Sequence, residues 1–338
     1  MKKAISVILM SVMMIAVLAA CGSKNNNEGA ASPSASSSAS SSAAASESAS
    51  PSASAPAAPA EVTITHALGT ATVKTNPEKV VVFDFGTLDT LNKLGIEVTA
   101  LPKASIPSNL SQFGDAKYED AGTLFEPDFE KLNKLKPDVI FISGRTAEAY
   151  EELNQIAPTI QMSIDYSKYA ESFAANANII GQIFTKEAEV ATELAAYNAA
   201  VEELKGKAST AGKALIILTT GGKISAYGKG SRFGNIHDTY GFAAADEAIK
   251  PDTHGDKITN EYIAEKNPDI LFVIDRDAVV SGEGTVPAKE VIENDLVKKT
   301  NAFKNGKIIY LDANYWYLSG GGLQTELEMV KEAAQAVQ

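Results

Sequence analysis

Two short apolar runs, each placed directly after a proline and an aspartate, divide the chain into similar halves. The first run is Val139–Ile142 and the second covers residues 270–274. Both fit one frame, which is a glutamate, six residues, Pro-Asp, two aliphatic residues, phenylalanine, an aliphatic residue, two further residues and an arginine. Runs this apolar are typical of strands buried on both faces of a parallel sheet. The repeat therefore predicts two similar α/β lobes.

Each copy of the frame begins as a short helix. In the first copy Phe129, Leu132 and Leu135 recur at a spacing that keeps them on one helical face. Pro137 and Pro268 are expected to end these helices, because the residue before a proline is pushed out of the helical region.

The arginines share one kind of position. The chain has 27 lysines and three arginines. Arg145 and Arg276 occupy the same position of the frame, and Arg232 follows Ser225-Ala226-Tyr227-Gly228, the end of another expected strand. Ligands of open α/β sheets bind beyond the carboxyl ends of strands, and a guanidinium binds oxyanions bidentately and stacks on aromatic faces. We therefore expect a shared binding role, although solvated loop cations are the simpler interpretation.

An alanine-rich segment between the two copies has apolar residues at helical spacing. Thr185 is the expected N-cap of its main part, because acidic residues follow it in the first turn. We interpret residues 171–210 as a rigid helix that joins an N-terminal lobe, residues 61–170, to a C-terminal lobe, residues 211–338.

The first sixty residues read as an export signal and a tether. A basic start, an apolar core and Leu18-Ala19-Ala20-Cys21 follow one another. The Leu-x-x-Cys end resembles a bacterial lipoprotein signal, which implies removal of residues 1–20 and lipid attachment to Cys21. An ordinary signal peptide or a short membrane anchor is the alternative, but the apolar core is short for a membrane span. Residues 21–60 are low-complexity Asn, Ser, Ala and Pro, so we expect a disordered tether.

Composition narrows the class of ligand. The formal net charge is −12, and it becomes −14 if Lys2 and Lys3 leave with the signal. An acidic chain argues against nucleic acid and against a peripheral contact with anionic lipid. Arginines converging inside such a chain would suit an anionic small ligand. The tether length favours a Gram-positive outer surface over a periplasm, with the protein anchored in the cell membrane.

Further candidate chemistry lies in two loops. His254 sits in a polar loop between Arg232 and Arg276, and Tyr315-Trp316-Tyr317 follows the last expected strand. Imidazole and phenolate can both ligate iron. On local sequence alone, His254 could equally be a solvated loop histidine, and Tyr315-Trp316-Tyr317 could equally be a packed aromatic loop with no ligand role.

Taken together, these motifs resemble the siderophore-binding lipoproteins of bacterial ABC importers, and more closely their petrobactin-type, catecholate-binding branch. The resemblance is carried by the lipoprotein signal, the tether and the paired Pro-Asp strands. Three further motifs are Asn-Pro-Glu-Lys-Val-Val-Val-Phe-Asp-Phe-Gly, Gly-Thr-Leu-Phe-Glu-Pro-Asp-Phe-Glu-Lys-Leu and Tyr-Trp-Tyr-Leu-Ser-Gly-Gly-Gly. This resemblance implies a class III periplasmic-binding-protein-like α/β fold, with two Rossmann-like lobes joined by a single long helix.

The resemblance also implies a ligand site. Arg145, Arg232 and Arg276 match the family's arginine triad, which holds a ferric catecholate between the lobes. His254 and Tyr315 match a histidine and a tyrosine that complete the iron shell when the chelate leaves two positions open.

Other roles follow from the same resemblance. Trp316 and Tyr317 would line the wall of the cleft. Glu130 and Glu261 match a glutamate on each lobe that docks onto the membrane permease, although a carboxylate in the first turn of a helix is also explained by the helix dipole.

The expected function is capture and delivery of a ferric siderophore by a monomer that has no cofactor of its own and is not an enzyme. The alternative is a receptor for another anionic iron chelate, such as another catecholate, citrate or a hydroxamate. A siderophore-processing enzyme is less favoured, because no Gly-x-Ser-x-Gly elbow or thiol nucleophile is visible in the folded part. A zinc or manganese receptor is also less favoured, because the folded part lacks the histidine-rich cluster that such a site would need.

Overall fold

The computed structural model describes residues 60–280 and 285–338. The expected signal segment 1–20, the lipidation site Cys21 and all but the last residue of the tether 21–60 lie outside the described residues. Within the described ranges, no helix combines the length and apolar character that crossing a membrane requires.

The N-terminal lobe is built on a five-stranded parallel sheet. Its strands and those of the hairpin beside it are β1 (Glu61–His66), β2 (Gly69–Lys74), β3 (Val80–Val82), β4 (Ala100–Leu101), β5 (Glu119–Asp120), β6 (Val139–Ile142) and β7 (Thr159–Gln161). Its helices are α1 (Phe85–Lys93), α2 (Phe129–Leu135), α3 (Tyr150–Ile156) and α4 (Tyr169–Phe184).

The strand order of this sheet is β5-β4-β3-β6-β7, and every pair in it is parallel. Read from β3, this is the order of the Rossmann-type sheet, whose ligand crevice lies where the order reverses. Here that point lies between β3 and β6. Asp84 and Arg145 follow these two strands and so stand at the crevice.

The C-terminal lobe has a mixed sheet. Its strands are β8 (Lys213–Thr220), β9 (Lys223–Tyr227), β10 (Ala243–Ala244), β11 (Asp256–Ile258), β12 (Ile270–Asp275) and β13 (Ile308–Leu311). The remaining helices of the chain are α5 (Glu187–Ala208), α6 (Asn235–Asp238), α7 (Asn260–Lys266), α8 (Ala288–Ile292), α9 (Asn301–Lys304) and α10 (Leu323–Ala334).

The sheet order is β11-β9-β8-β12-β13, with β10 also paired to β8. Strands β8, β12 and β13 run parallel, whereas β9 is antiparallel to β8. Arg276 therefore follows a parallel strand as Arg145 does, while Arg232 follows an antiparallel one. The prediction of two α/β lobes is confirmed. The sheet of the second lobe differs from the all-parallel sheet of the first in its antiparallel strand β9.

The Pro-Asp repeat fixes strand register in both lobes. Asp138 donates its backbone N–H to the Lys79 carbonyl oxygen at 2.8 Å, and its carboxylate accepts the Lys79 N–H at 2.8 Å. Asp269 makes the same pair of bonds with Lys213, at 2.8 and 2.9 Å. Each aspartate thus joins the start of its own strand to the start of the neighbouring strand. The strands that follow, β6 and β12, have buried aliphatic and aromatic residues, as the apolar runs predict.

The connecting segment, interpreted above as one rigid unit over residues 171–210 with a cap at Thr185, contains two helices. Helix α4 ends at Thr185, which takes a left-handed conformation with φ of 52°. Lys186 is the N-cap of α5, so the prediction that Thr185 caps the second helix is wrong. The reason is a tight turn, in which a Cβ at Gly181 would lie 3.3 Å from Val190. Helix α5 then leads directly into β8 and joins the lobes.

Helix α10 is bonded to the N-terminal lobe, although the sequence assigned it to the C-terminal one. The buried Asp89 of α1 accepts the N–H groups of Gln324 and Thr325, at 2.8 and 3.0 Å. The Thr90 hydroxyl accepts the N–H of Leu323 at 3.2 Å. A carboxylate on the first N–H groups of a helix satisfies donors that have no partner inside the helix. Helix α1 thereby holds the closing helix.

Candidate functional site

A cleft of about 500 Å³ lies between the lobes, and both lobes line it. The N-terminal lobe contributes Arg145, polar residues near the strand ends and a group of apolar and aromatic side chains. The C-terminal lobe contributes Arg232, the imidazole of His254 and aromatic groups. The lining residues used below are Asp84, Phe125, Arg145, Met162, Ile164, Tyr166, Tyr169, Ile180, Arg232, Thr253, His254, Trp316, Tyr317 and Gly321.

The three arginines meet at Tyr317. Arg145 and Arg232 each donate a hydrogen bond from Nη2 to the Tyr317 carbonyl oxygen, at 2.9 and 2.7 Å. Arg276 donates from Nε to the Tyr317 hydroxyl at 2.8 Å, and from Nη1 to the Thr220 hydroxyl at 3.2 Å. The structure therefore brings together residues that lie far apart in the sequence, one from the first lobe and two from the second.

The ring of Tyr317 also faces the three guanidiniums. Its centroid lies 4.2 Å from Cζ of Arg232, 5.4 Å from that of Arg276 and 5.6 Å from that of Arg145. Each distance falls within the range of a cation–π contact, worth about 0.5–2 kcal/mol. An aromatic ring thus occupies the centre of the arginine cluster. Arg276 reaches this ring without lining the cleft itself.

The arginine cluster changes the acidity of its members. Burial alone would raise the pKa of Tyr317, but the hydrogen bond from Arg276 and the charges of the three arginines outweigh it and lower that pKa. Burial and the nearby charge of Arg232 lower the pKa of Arg145, and the carboxylate of Asp84 partly offsets this. An anionic ligand in the cleft would, like the carboxylate of Asp84, offset the repulsion between Arg145 and Arg232.

His254 lines the cleft from an exposed loop of the C-terminal lobe. Its backbone N–H donates to the Asp252 carboxylate at 2.6 Å, and its carbonyl oxygen accepts the Tyr227 hydroxyl at 3.0 Å. Gly255 follows with φ of 71°, and a Cβ there would lie 2.9 Å from the Tyr227 ring. These contacts hold the loop while leaving the imidazole at the cleft.

The two tyrosines of the Tyr-Trp-Tyr motif have different surroundings. Tyr315 does not line the cleft. Burial and then the charges of Glu328 and Asp312 raise its pKa. Tyr317 lines the cleft, and its ring also lies among the three arginines. Residues 314–318 form one π-helical turn, so Tyr315 and Tyr317 are not spaced around the axis as they would be in an α-helix.

Trp316 is buried and contributes to the cleft wall. Its indole N–H donates to the Glu332 carboxylate at 2.8 Å, and its ring makes an edge contact with Tyr240. The polar end of the indole therefore points toward helix α10. Trp316 is the chain's one tryptophan, so the tryptophan fluorescence of the protein reports on this wall of the cleft.

A buried carboxylate supports the floor of the cleft, and the sequence did not reveal it. Glu326 of α10 accepts the Tyr169 hydroxyl at 2.5 Å and the Gly321 N–H at 2.9 Å. Burial raises the pKa of Glu326 to about 7. Tyr169 and Glu326 lie 157 residues apart, so no local pattern predicts their contact. Asp84 was also missed, although its place directly after a buried strand is a usable signal.

The paired glutamates lie outside the cleft. Glu130 and Glu261 are exposed in the first turns of α2 and α7. Glu130 forms an ion pair with Lys134 at 2.6 Å, and a hydrogen bond with Thr259 lowers the pKa of Glu261. Each stands fifteen residues before its arginine, at the opposite end of the repeat unit. In the part of the chain that the structure describes, no three His, Cys, Asp or Glu side chains form a metal cluster.

Comparisons with known proteins agree with this description. A family profile described as periplasmic binding protein matches residues 80–315. Petrobactin-binding protein YclQ of Bacillus subtilis is 50% identical over 284 residues, which make up 82% of this chain and 89% of that protein. Ferric-anguibactin-binding protein FatB of Vibrio anguillarum is 32% identical over 275 residues, which make up 80% of this chain and 85% of that protein.

Solved structures give the same result. The crystal structure of YclQ superposes with a TM-score of 0.80 at 48% identity, and covers 82% of this chain and 99% of that one. The periplasmic catecholate-siderophore binding protein VctP of Vibrio cholerae has a TM-score of 0.77 at 37% identity, with 81% and 99% covered.

The arginine cluster predicts an unusually acidic tyrosine. Ultraviolet titration should show one phenol that ionises below the ordinary tyrosine pKa of about 10, and Tyr317→Phe should remove that step. Arg276→Ala should move the step to higher pH, because it deletes the hydrogen bond to the phenol oxygen. Tyr315→Phe is the matched control and should leave the step in place. Persistence of the step in Tyr317→Phe would contradict the assignment.

Proposed function

The chain belongs to the periplasmic binding protein family, and from that premise we propose that it captures a ferric catecholate-type siderophore, similar to petrobactin, and delivers it to an ABC permease. The ligand would bind in the cleft between the lobes. The protein would act as a lipid-anchored monomer, held to the outer face of the cell membrane through Cys21. No catalytic step and no resident cofactor are part of this proposal.

One observation carries it, namely that the chain's three arginines gather at one ring in the cleft. The chain as a whole has a net charge of −12, whereas this cluster is a local concentration of positive charge, which favours an anionic ligand. A ferric catecholate presents anionic oxygens beside aromatic rings. Guanidinium groups bind both features, through charge-assisted hydrogen bonds and through stacking.

The Tyr317 ring supports the catecholate over other anions. It shows that a phenol can lie among the three guanidiniums, with an oxygen hydrogen-bonded to Arg276 and the ring facing all three cations. A catecholate is a phenol with a second oxygen. Since each guanidinium has five N–H donors, many donors remain for a ligand after the contacts described above.

Iron would complete its coordination with protein groups when the chelate leaves two positions open. His254 is one candidate and Tyr315 was the tyrosine matched by resemblance. We favour Tyr317 over Tyr315, because Tyr317 lines the same cleft as His254 and its lowered pKa favours the phenolate, a hard oxygen donor suited to iron(III). Trp316 would then lie against the ligand as part of the wall.

Arg145→Ala, Arg232→Ala and Arg276→Ala should each weaken binding of a ferric catecholate by about tenfold or more, the effect of losing one charged hydrogen bond. Quenching of Trp316 fluorescence measures the affinity. Arg232→Lys should recover part of the loss, because lysine keeps the charge without the planar fork. Lys250→Ala removes an exposed cation outside the cleft and should have no effect. Wild-type affinity in all three alanine variants would exclude the proposed site.

The iron shell is tested by the charge-transfer band of a ferric bis-catecholate bound to the protein. His254→Ala combined with Tyr317→Phe should shift this band, since two iron ligands are replaced by solvent. The matched pair, His254→Ala with Tyr315→Phe, should shift it only as far as His254→Ala alone. A further shift caused by Tyr315→Phe would restore Tyr315 as the ligand.

Delivery requires a second surface, which we assign to Glu130 and Glu261. Glu130→Ala with Glu261→Ala should abolish siderophore-dependent iron uptake by cells and leave the affinity of the purified protein unchanged, because both side chains lie outside the cleft. Glu151→Ala with Glu265→Ala is the control, since these are exposed helical glutamates of the same two lobes. A loss of binding in the first double variant would make the two glutamates structural.

A further inference from the structure

An exposed phenylalanine stands at the cleft in the N-terminal lobe. The side chain of Phe125 is 68% exposed, against 39% for Leu68 and 40% for Tyr310, the other large apolar side chains exposed within the described residues. Phe125 lines the cleft, and the other two do not. Solvent exposure of a phenyl ring is unfavourable, so its position at a binding cleft calls for a functional explanation.

The exposure is built into the local structure. Thr123 donates its N–H to the Glu126 carbonyl oxygen at 2.9 Å, and its hydroxyl accepts the N–H groups of Phe125 and Glu126 at 3.2 and 2.9 Å. Gly122 has φ of 106°, and a Cβ there would lie 2.5 Å from the Glu126 carbonyl oxygen. This turn, residues 122–127, has little freedom to fold the ring inward.

The turn is also tied to the arginine of the same lobe. The buried hydroxyl of Thr146, directly after Arg145, donates to the Leu124 carbonyl oxygen at 2.7 Å. Leu124 is itself buried and anchors the turn from inside. The position of Phe125 is therefore fixed relative to Arg145 by one hydrogen bond and one packed side chain.

The cleft has two kinds of lining. Cationic and polar groups come from both lobes, among them Arg145, Arg232 and His254, and apolar side chains of the N-terminal lobe, Met162, Ile164 and Ile180, line it together with Phe125. A ligand that fits both kinds of lining has an anionic part and a flat apolar part. The catecholate rings of a ferric chelate have such faces, which a phenyl ring can stack on or meet edge-on.

We propose that Phe125 packs against an aromatic ring of the bound chelate and makes the cleft prefer aromatic over aliphatic iron chelates. This inference rests on the proposed function, because it names the feature of the ligand that the N-terminal lobe recognises. Phe125 is a specificity-determining residue in it, and the arginines remain the source of charge attraction.

The test compares two defined probes, a ferric complex of 3,4-dihydroxybenzoate and ferric citrate, by quenching of Trp316 fluorescence. Phe125→Ala should weaken binding of the aromatic chelate by about three- to tenfold, the range expected for loss of one aromatic contact. Its effect on ferric citrate should be less than about twofold on the same scale. Phe125→Tyr should retain wild-type preference, whereas Phe125→Leu should lose part of it. Tyr310→Ala removes an exposed ring outside the cleft and should change neither affinity.

Two results would overturn the inference while leaving the proposed function intact. One is an unchanged affinity of Phe125→Ala for the aromatic chelate, and the other is an equal loss for both probes. Unchanged affinity together with lower uptake by cells would assign Phe125 to a contact with the permease instead. Failure of the wild-type protein to bind any ferric catecholate would instead reject the proposed function itself.

Discussion

The site depends on one backbone carbonyl. The oxygen of Tyr317 accepts a hydrogen bond from Arg145 of one lobe and from Arg232 of the other. A carbonyl oxygen has two lone pairs and can accept both, and the adjoining ring faces the same cations. This acceptor offsets part of the repulsion between the two half-buried guanidiniums. The π-helical turn makes the carbonyl available, because acceptors at the end of a helical turn lack partners within it.

The arginine of each parallel strand is positioned by the aspartate that begins that strand. Asp138 and Asp269 each exchange two hydrogen bonds with the neighbouring strand, and each lies seven positions before its arginine. A strand advances about 3.3 Å per residue, so this spacing brings both arginines to the carboxyl ends of their strands, Arg276 directly after β12 and Arg145 two residues further beyond the end of β6. A register shift of one residue would turn every buried side chain of the strand to the opposite face, which makes this position strongly specified.

The parts that sequence could predict are those with a local cause. The Pro-Asp frame predicts two lobes and brings Arg145 and Arg276 to strand ends, since both depend on spacing within one segment. The difference between Tyr315 and Tyr317 depends on a π-helical turn, which local sequence does not distinguish from an α-helical one. The contact of Tyr169 with Glu326 and the packing of α10 on α1 join distant segments. They follow from tertiary structure alone, and a single sequence carries no signal for them.

The same segment that carries Tyr317 into the cleft also closes the joint between the lobes. A Cβ at Gly86 of α1 would collide with the Gly320 carbonyl oxygen, and one at Gly322 would collide with the Asp89 carboxylate. Asp89 and Glu326 are buried acids with raised pKa values of about 6 and 7, caused by burial. Buried acids are tolerated where hydrogen bonds satisfy them. Here one oxygen of Asp89 accepts the N–H groups of Gln324 and Thr325, and one oxygen of Glu326 accepts the Gly321 N–H and the Tyr169 hydroxyl. The conformation of this segment is therefore fixed by the joint at one end and by the arginines at the other, which couples the position of Tyr317 to the contact between the lobes.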